Sequence, residues 1–294
     1  MSKVSAVIVT IGSKDYIFRC IESLLKQTCL ADEIIVIDNS LDPILSSKLR
    51  KMFPQVKVYS QEKNLFYSPS LNKGLELSAQ DFILCLNDDI ILDSCFISKA
   101  VDVFSKDTRI GMAGGKILRS NARILDSCGL SLTFWRTAKD RGYGQRDKGQ
   151  FNKAGYVFGI NGSAVIYRRE MLEKIKDKNG YFDSRFLMFY EDLDLSWRAQ
   201  KTGWRAYYIP EACAYHVRGG SFRPDAGKDK AIARRYLNSQ LHLELIKNRH
   251  LAILKNESFF GFLLHFIPIL AYDACVLVYI LLFRPKEIRP VLKV

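Results

Sequence analysis

The sequence predicts an α/β protein: a mostly parallel central sheet flanked by helices, with a helical extension at the C-terminus. Three observations predict it. Over the first ninety residues, β-branched runs alternate with segments whose apolar residues recur at helical spacing, the pattern of repeated strand–helix units. Most of the strand runs are nearly continuously apolar, as strands covered on both faces are. Polar clusters end several of these runs, and in open parallel sheets ligands sit beyond the carboxyl ends of the strands.

The elements follow in order. "VSAVIVT" reads as the first strand, ending on Thr10, and "KDYIFRCIESLLKQ" as a helix that gathers Ile17, Cys20, Ile21, Leu24 and Leu25. "EIIVIDNS" is a second strand, ending on Asp38. Helix-like "PILSSKLRKMF", strand "VKVYS" and helix-like "SPSLNKGLELS" lead to a fourth strand, "DFILCLNDD", which ends on Asn87, Asp88 and Asp89. Beyond it, "GMAGGKIL" and "RILDSCGLSL" resemble paired strands. "RTAKDRGYGQRDKGQFNKAG" is polar, Gly-rich and basic, and reads as a mobile loop. "GSAVIYRREMLEKI" reads as a strand running into a helix. Residues 258–283 form the longest apolar stretch, long enough to span a bilayer. His265, Pro268 and Asp273 interrupt it, and basic residues flank both ends, so a bent in-plane or re-entrant hairpin is expected on the cytoplasmic side of a membrane.

Composition narrows the class. Of 294 residues, 48% are hydrophobic, enough for a sizeable core and against disorder. Lys and Arg outnumber Asp and Glu by 44 to 31, a net +13. From Lys201 onward there are 15 basic and 7 acidic residues, so +8 of that charge lies in the last third. An anionic membrane surface or a phosphate-bearing ligand fits that charge. Nucleic acid is suggested by charge alone, no RNA or DNA motif accompanies it, and it is not expected as a partner. The seven cysteines, at irregular spacings and without C-x-x-C, argue against a zinc site or disulfide framework and for a reducing cytosol. The N-terminus has no signal-peptide pattern, which agrees with that expectation.

Several stretches could carry chemistry, and each has a plainer explanation beside it. In "LCLNDD", acidic residues after a buried strand are placed to hold a divalent cation, although Asn and Asp are also ordinary turn residues. Asp38 in "IVIDNS" could accept a hydrogen bond from a base N–H or a ribose hydroxyl, or merely cap the following helix. Asn64, Asn72 and Gly74 surround a helix start able to hold phosphate or a sugar hydroxyl through backbone N–H groups, or form an ordinary loop. "FLMFYEDLDLSWR" places Glu191, Asp192 and Asp194 within four residues. Phe189, Leu193 and Trp197 would bury one helical face, leaving a carboxylate free to act as a general base or simply to favour a helix N-terminus. His216 in "AYHVRGGS" gains value only beside a metal.

Together, "VIVT", "CIESLLKQT", "EIIVIDNS", "NLFYSPSLNKG", "LCLNDD", "GINGSAVIYRREML", "FDSRFLMFYEDLDLSWRAQKTGW" and "YHVRGGS", in this order, resemble the inverting family 2 glycosyltransferases of GT-A (Rossmann-like) fold. The match is to the rhamnosyltransferase-like branch of bacterial surface polysaccharide synthesis. It covers about Val4 to Ser221. The resemblance implies a catalytic domain over 1–222, with a nucleotide-sugar half to about 118 and an acceptor half from 119, and a membrane-associating segment over 223–294. It implies that Asp38 contacts the pyrimidine N3–H, and that Thr10, Asn64, Asn72, Gly74, Asn87 and Asp88 line the donor site. Asp89 and His216 would ligate Mg²⁺ or Mn²⁺. Asp192 would be the base, with Glu191 orienting acceptor or base, Asp194 supporting the helix, and Trp197 and Arg198 on the acceptor side. One departure is Asn87 at the first position of the D-x-D metal motif. An amide is a poorer cation ligand, so Asp89 must carry most of the coordination.

The activity so implied is transfer of a sugar, rhamnose favoured, from a UDP- or dTDP-sugar to a polyprenyl-diphosphate-linked saccharide at the cytoplasmic face of the membrane. A nucleotidyltransferase shares the sheet type and metal chemistry, but would want a basic Gly-rich loop where "VTIGSKDY" offers only Gly12 and Lys14. A non-catalytic nucleotide-binding protein at the membrane surface would not need the "ED" pair.

Overall fold

In the computed structural model, which describes residues 3–12, 15–217 and 237–291, the apolar runs form most of one ten-stranded sheet. Strands β1 (Val4–Thr10), β2 (Glu33–Asp38), β3 (Val56–Ser60) and β4 (Phe82–Asn87) lie in the order β4-β1-β2-β3, all parallel. Helices α1 (Tyr16–Leu25), α2 (Pro43–Met52) and α3 (Tyr67–Leu77) carry the chain back between them. Successive side chains of β1 enter different layers. Ala6 and Ile8 pack with Ile17, Cys20 and Ile21 of α1, whereas Val7 and Val9 pack with Leu71 and Leu75 of α3. A strand buried on both sides has no room for polar alternation, hence the unbroken apolar runs.

The second half continues the sheet. After β5 (Ile90–Leu92) and α4 (Phe96–Asp102) come β6 (Ile110–Arg119), β7 (Leu125–Ser127), β8 (Leu130–Leu132), β9 (Ala138–Asp140), β10 (Gly155–Val157) and β11 (Ala164–Arg168). Helices α5 (Arg169–Ile175) and α6 (Glu191–Lys201) precede β12 (Arg205–His216). β11 lies antiparallel between β4 and β6, β12 runs parallel to β6, and β5 pairs antiparallel with the end of β12. β6 pairs with β7 as expected, and β8 pairs with β9 in a separate two-stranded sheet.

Two expectations are corrected here. The segment read as a mobile loop contains β9 and is tied down by backbone bonds, among them Leu125 N to Gln145 O at 2.8 Å and Cys128 N to Arg141 O at 2.9 Å. Its glycines serve tight turns: Gly142, Gly144 and Gly149 have φ of 76°, 73° and 82°. The apolar stretch is not a hairpin. It is one 25-residue helix, α8 (Phe259–Phe283), which runs through Pro268. Pro268 is buried, on the side facing the rest of the protein.

The C-terminal extension is also not uniform. Helix α7 (Ser239–Asn256) belongs to the body of the protein, burying Ile246, Asn248, Arg249, Ala252 and Asn256. Only α8 presents a long apolar surface. The proposed boundary at 222–223, and the Arg218–Ser221 part of the "YHVRGGS" motif, lie outside the described residues.

Candidate active site

The parallel register assembles one edge of the site. Thr10 pairs with Asp38, and Val9 with Asn87, so three polar strand ends stand side by side. Thr10 Oγ1 donates to Asp88 Oδ2 at 2.6 Å and accepts from Gly12 N at 3.0 Å. Asp38 is buried. Its Oδ1 accepts from Ser40 N at 2.9 Å and its Oδ2 from Ser46 Oγ at 2.5 Å. A carboxylate has about four acceptor positions, so these bonds orient Asp38 without exhausting it. Burial pushes Asp88 up to about 6, with the Thr10 bond opposing and the Asp89 charge adding to the rise.

The antiparallel pairing of β5 with β12 sets His216 opposite Ile90 and so beside Asp89. His216 Nε2 lies 3.2 Å from Asp89 Oδ1, and Nδ1 lies 2.7 Å from Asp126 Oδ2. Burial lowers the affinity of this ring for a proton. The Asp89 and Asp126 carboxylates more than offset it, and His216 is raised to about 9. The two residues expected to hold a metal thus face each other, one oxygen and one nitrogen donor. A carboxylate behind the imidazole fixes its orientation, as outer partners of metal-bound histidines do. Among the described residues no cluster of three or more His, Cys, Asp or Glu side chains is arranged to hold a metal. A cation here would need further oxygens from its ligand.

The carboxylate pair stands on the N-terminus of α6. The residues before it, Phe189 and Tyr190, both have left-handed backbones, with φ of 71° and 70°. Two adjacent non-glycine residues in this region are strained. Asn248 of α7 holds the turn by donating from Nδ2 to Met188 O and Phe189 O at 2.8 and 2.9 Å. Asp192 Oδ2 accepts from Gly162 N at 3.0 Å, and Oδ1 accepts from its neighbour Leu193 N at 2.8 Å. A Cβ on Gly162 would sit 3.3 Å from Asp192 Cβ, so the bare backbone allows the close approach. Burial raises Asp192 above the usual carboxylate range although both backbone bonds oppose it. Glu191 is raised by burial and then by the Asp192 charge, and its Oε2 has no hydrogen-bond partner among the described residues.

The two edges are joined. Tyr67 OH donates to Asn87 Oδ1 at 2.7 Å and lies 3.2 Å from Gly162 O, whose own residue donates to Asp192. Asp140 Oδ1 accepts from Asn161 Nδ2 at 2.9 Å, and it is pushed up to about 6 by burial, with Asp126 and Asp192 adding to the rise. Tyr67, Asp126, Asp140 and Gly162 were not singled out from the sequence. "GINGS" stood in the matched motif set without a role, and Asp126 and Asp140 lie on three-residue strands with no periodic signature.

Four expected site residues are placed elsewhere. Asn72 is inside α3, and its side chain bonds the backbone of Phe182, from Nδ2 to O at 2.7 Å and from Phe182 N to Oδ1 at 2.8 Å. Gly74 is buried against β1, where a Cβ would lie 2.2 Å from Val7 Cγ1. It permits helix–sheet packing rather than lining a donor loop. Trp197 is buried with Phe186, Tyr190, Leu193 and Ala252. Arg198 donates to Asp194 Oδ2, Ile175 O and Tyr181 O. Both side chains hold α6 in place. Asn64, also expected in the donor site, is exposed, and its Oδ1 accepts from Phe66 N at 2.7 Å. Asp194 is fully buried against Arg198, Lys255 and Asn256, consistent with helix support.

A mostly parallel sheet with flanking helices is the architecture of GT-A glycosyltransferases, and solved structures of that kind share the fold. One is GalNAc-T7 with UDP, GalNAc and Mn²⁺, at a TM-score of 0.60 and 16% identity, over 79% of this chain and 45% of that one. Another is S. aureus TarS 1–349 with UDP-GlcNAc, at 0.57 and 18%, over 87% of this chain and 68% of that one. The sequence itself matches "Glycosyltransferase like family 2" over residues 2–235, and the chain belongs to that family. It is a glycosyltransferase. It is also 24% identical over 250 residues to the N-acetylglucosaminyl-diphospho-decaprenol L-rhamnosyltransferase of Mycobacterium tuberculosis, covering 76% of this chain and 78% of that protein.

Proposed function

We propose that the protein transfers a sugar, rhamnose favoured, from a UDP- or dTDP-sugar to a hydroxyl of a polyprenyl-diphosphate-linked saccharide, with inversion, at the cytoplasmic face of the membrane. The single observation that carries this reading is Asp192. It is fixed by Gly162 N and Leu193 N at a helix N-terminus, made more basic by burial, and joined through Tyr67 to the strand ends. The naming of the mycobacterial relative supports the sugar and the lipid-linked acceptor. The structural neighbours solved with UDP and Mn²⁺ and with UDP-GlcNAc support a uridine nucleotide and a divalent ion.

Asp38 binds the pyrimidine N3–H, which UDP and dTDP share. Thr10 positions Asp88 at the floor of the donor site. Asp192 takes the proton of the acceptor hydroxyl, whose oxygen attacks the anomeric carbon opposite the departing diphosphate, and one such displacement inverts that centre. Glu191 orients the acceptor. Asp89 and His216 would hold Mg²⁺ or Mn²⁺, which supplies charge stabilisation to a leaving diphosphate. Asp126 keeps the His216 ring aligned.

A thermal-shift panel of nucleotide sugars with Mn²⁺ tests the donor, because a ligand that binds only the folded state raises the melting temperature by mass action. A rise with UDP- or dTDP-sugars and none with purine-nucleotide sugars is expected. No rise with any pyrimidine nucleotide sugar would overturn the reading.

A further inference from the structure

We propose that α8 lies in the plane of an anionic bilayer with its outer face submerged, and that the β8–β9 turn at Phe134–Trp135 is a second anchor on the same surface. The helix is long and apolar enough to cross a membrane, about 37 Å at 1.5 Å per residue. Its contacts exclude that use. One face is pinned to the water-facing body along most of its length. His265 Nδ1 lies 2.9 Å from Arg136 Nη2, Asp273 Oδ1 accepts from Arg249 Nη1 at 2.5 Å, and Tyr279 packs edge-on to His242 with ring centroids 6.0 Å apart. A crossing helix would carry Arg136, Arg249 and the rest of α7 into hydrocarbon, where unsatisfied polar groups are costly.

The opposite face is bare. Of the 22 exposed large hydrophobic residues among those described, 13 are on α8, including Phe260, Leu264, Ile267 and Leu282. So large an apolar surface marks an interaction site. Phe134 and Trp135, 59% and 45% exposed, extend it. Phe134 packs edge-on to His265, with ring centroids 5.1 Å apart, so the turn flanks the helix where the helix meets the body. Exposed Lys139 on β9, with Lys286 and Arg289 just past the end of α8, complements anionic headgroups. An in-plane helix with aromatic anchors and basic neighbours is the pattern of interfacial binding. The hairpin that carries Phe134 and Trp135 ends on Asp140, which accepts from Asn161, the neighbour of the Gly162 that donates to Asp192. Docking therefore sets the site near the headgroups, where a lipid-linked acceptor presents its sugar. That last point rests on the proposed function, whereas the docking itself does not.

The test uses the full chain with phosphatidylcholine vesicles, with and without phosphatidylglycerol, read by flotation. Binding to the anionic vesicles is expected, and Phe134→Ser with Trp135→Ser should weaken partitioning by about tenfold at an unchanged melting temperature. Trp135 is the exposed tryptophan, since Trp197 and Trp204 are buried. Its fluorescence should be quenched best by bromines near the headgroups, about 5–10 Å deep. Three results would overturn the proposal: no vesicle binding, unchanged binding by the double variant, or strongest quenching at the bilayer centre. A concentration-dependent dimer without vesicle binding would assign the surface to a second copy and also overturn it. Nucleotide binding with Mn²⁺, measured on the same preparations, separates failure here from failure of the transferase reading.

Discussion

Glu191 and Asp192 differ in what the fold gives them. Both Asp192 oxygens accept backbone N–H groups, while Glu191 Oε2 has no hydrogen-bond partner among the described residues and backbone bonds only partly oppose the burial that raises its pKa. The folded-state pKa of Glu191 is raised above its unfolded value, so the folded form prefers the proton. Its contribution to stability is present below the unfolded value, about 4.3, and is lost as pH rises toward the folded one. Glu191→Gln removes that titration. The melting temperature of the variant should gain on the wild type steadily between about pH 4 and pH 8. Melts across that range check it, and a pH-independent difference would contradict it. Asp194 behaves otherwise. It is fully buried among three partners, and Asp194→Asn should cost about 3 kcal/mol or more, because Arg198 and Lys255 are left imperfectly paired. Chemical denaturation would show this loss. Asp89 faces His216 and is the proposed ligand of Mg²⁺ or Mn²⁺: Asp89→Ala should abolish metal-stimulated binding of UDP or dTDP, and unchanged calorimetric binding would contradict it.

At the scale of elements, the turn before α6 and the helix that clamps it decide the geometry. Asn248 is fully buried and bonds two carbonyls of residues whose backbones lead into or occupy left-handed conformations. Asn248→Ala should cost about 1–3 kcal/mol by leaving those carbonyls unpaired, and it should lower kcat more than donor affinity. Calorimetry paired with kinetics would check both. This coupling was not legible in the sequence. "IKNRHLAILKN" reads only as a helix, and nothing in "FLMFYEDLD" announces a left-handed Phe-Tyr pair. The strand ends were legible, because Thr10, Asp38 and Asn87 each close an unbroken apolar run and a parallel sheet brings such ends together. Asn72 and Gly74 lie close in sequence to Asn64 and the start of α3, but they face Phe182 and Val7 once the helix forms. Trp197 and Arg198 likewise lie one turn beyond the carboxylates on α6. Asp126 and Asp140 were hidden in short strands paired across long separations, which local periodicity does not report.

For the whole molecule, the two halves of the sheet supply different parts of one polar cluster. The parallel half brings Thr10, Asp38 and Asn87, the antiparallel β5–β12 pairing adds His216 to Asp89, and α6, clamped by α7, carries the carboxylate pair, which Tyr67 and Gly162 link to the strand ends. Family membership and fold establish a glycosyltransferase, and the central claim is that Asp192 is its base. The most direct measurement is kcat for Asp192→Asn against the wild type, at donor saturation and with matched donor Kd values. Asn is nearly isosteric but takes no proton. The expected result is a loss of about 10²–10⁴-fold in kcat with donor Kd nearly unchanged. An Asp192→Asn enzyme that keeps most of its rate would contradict the account.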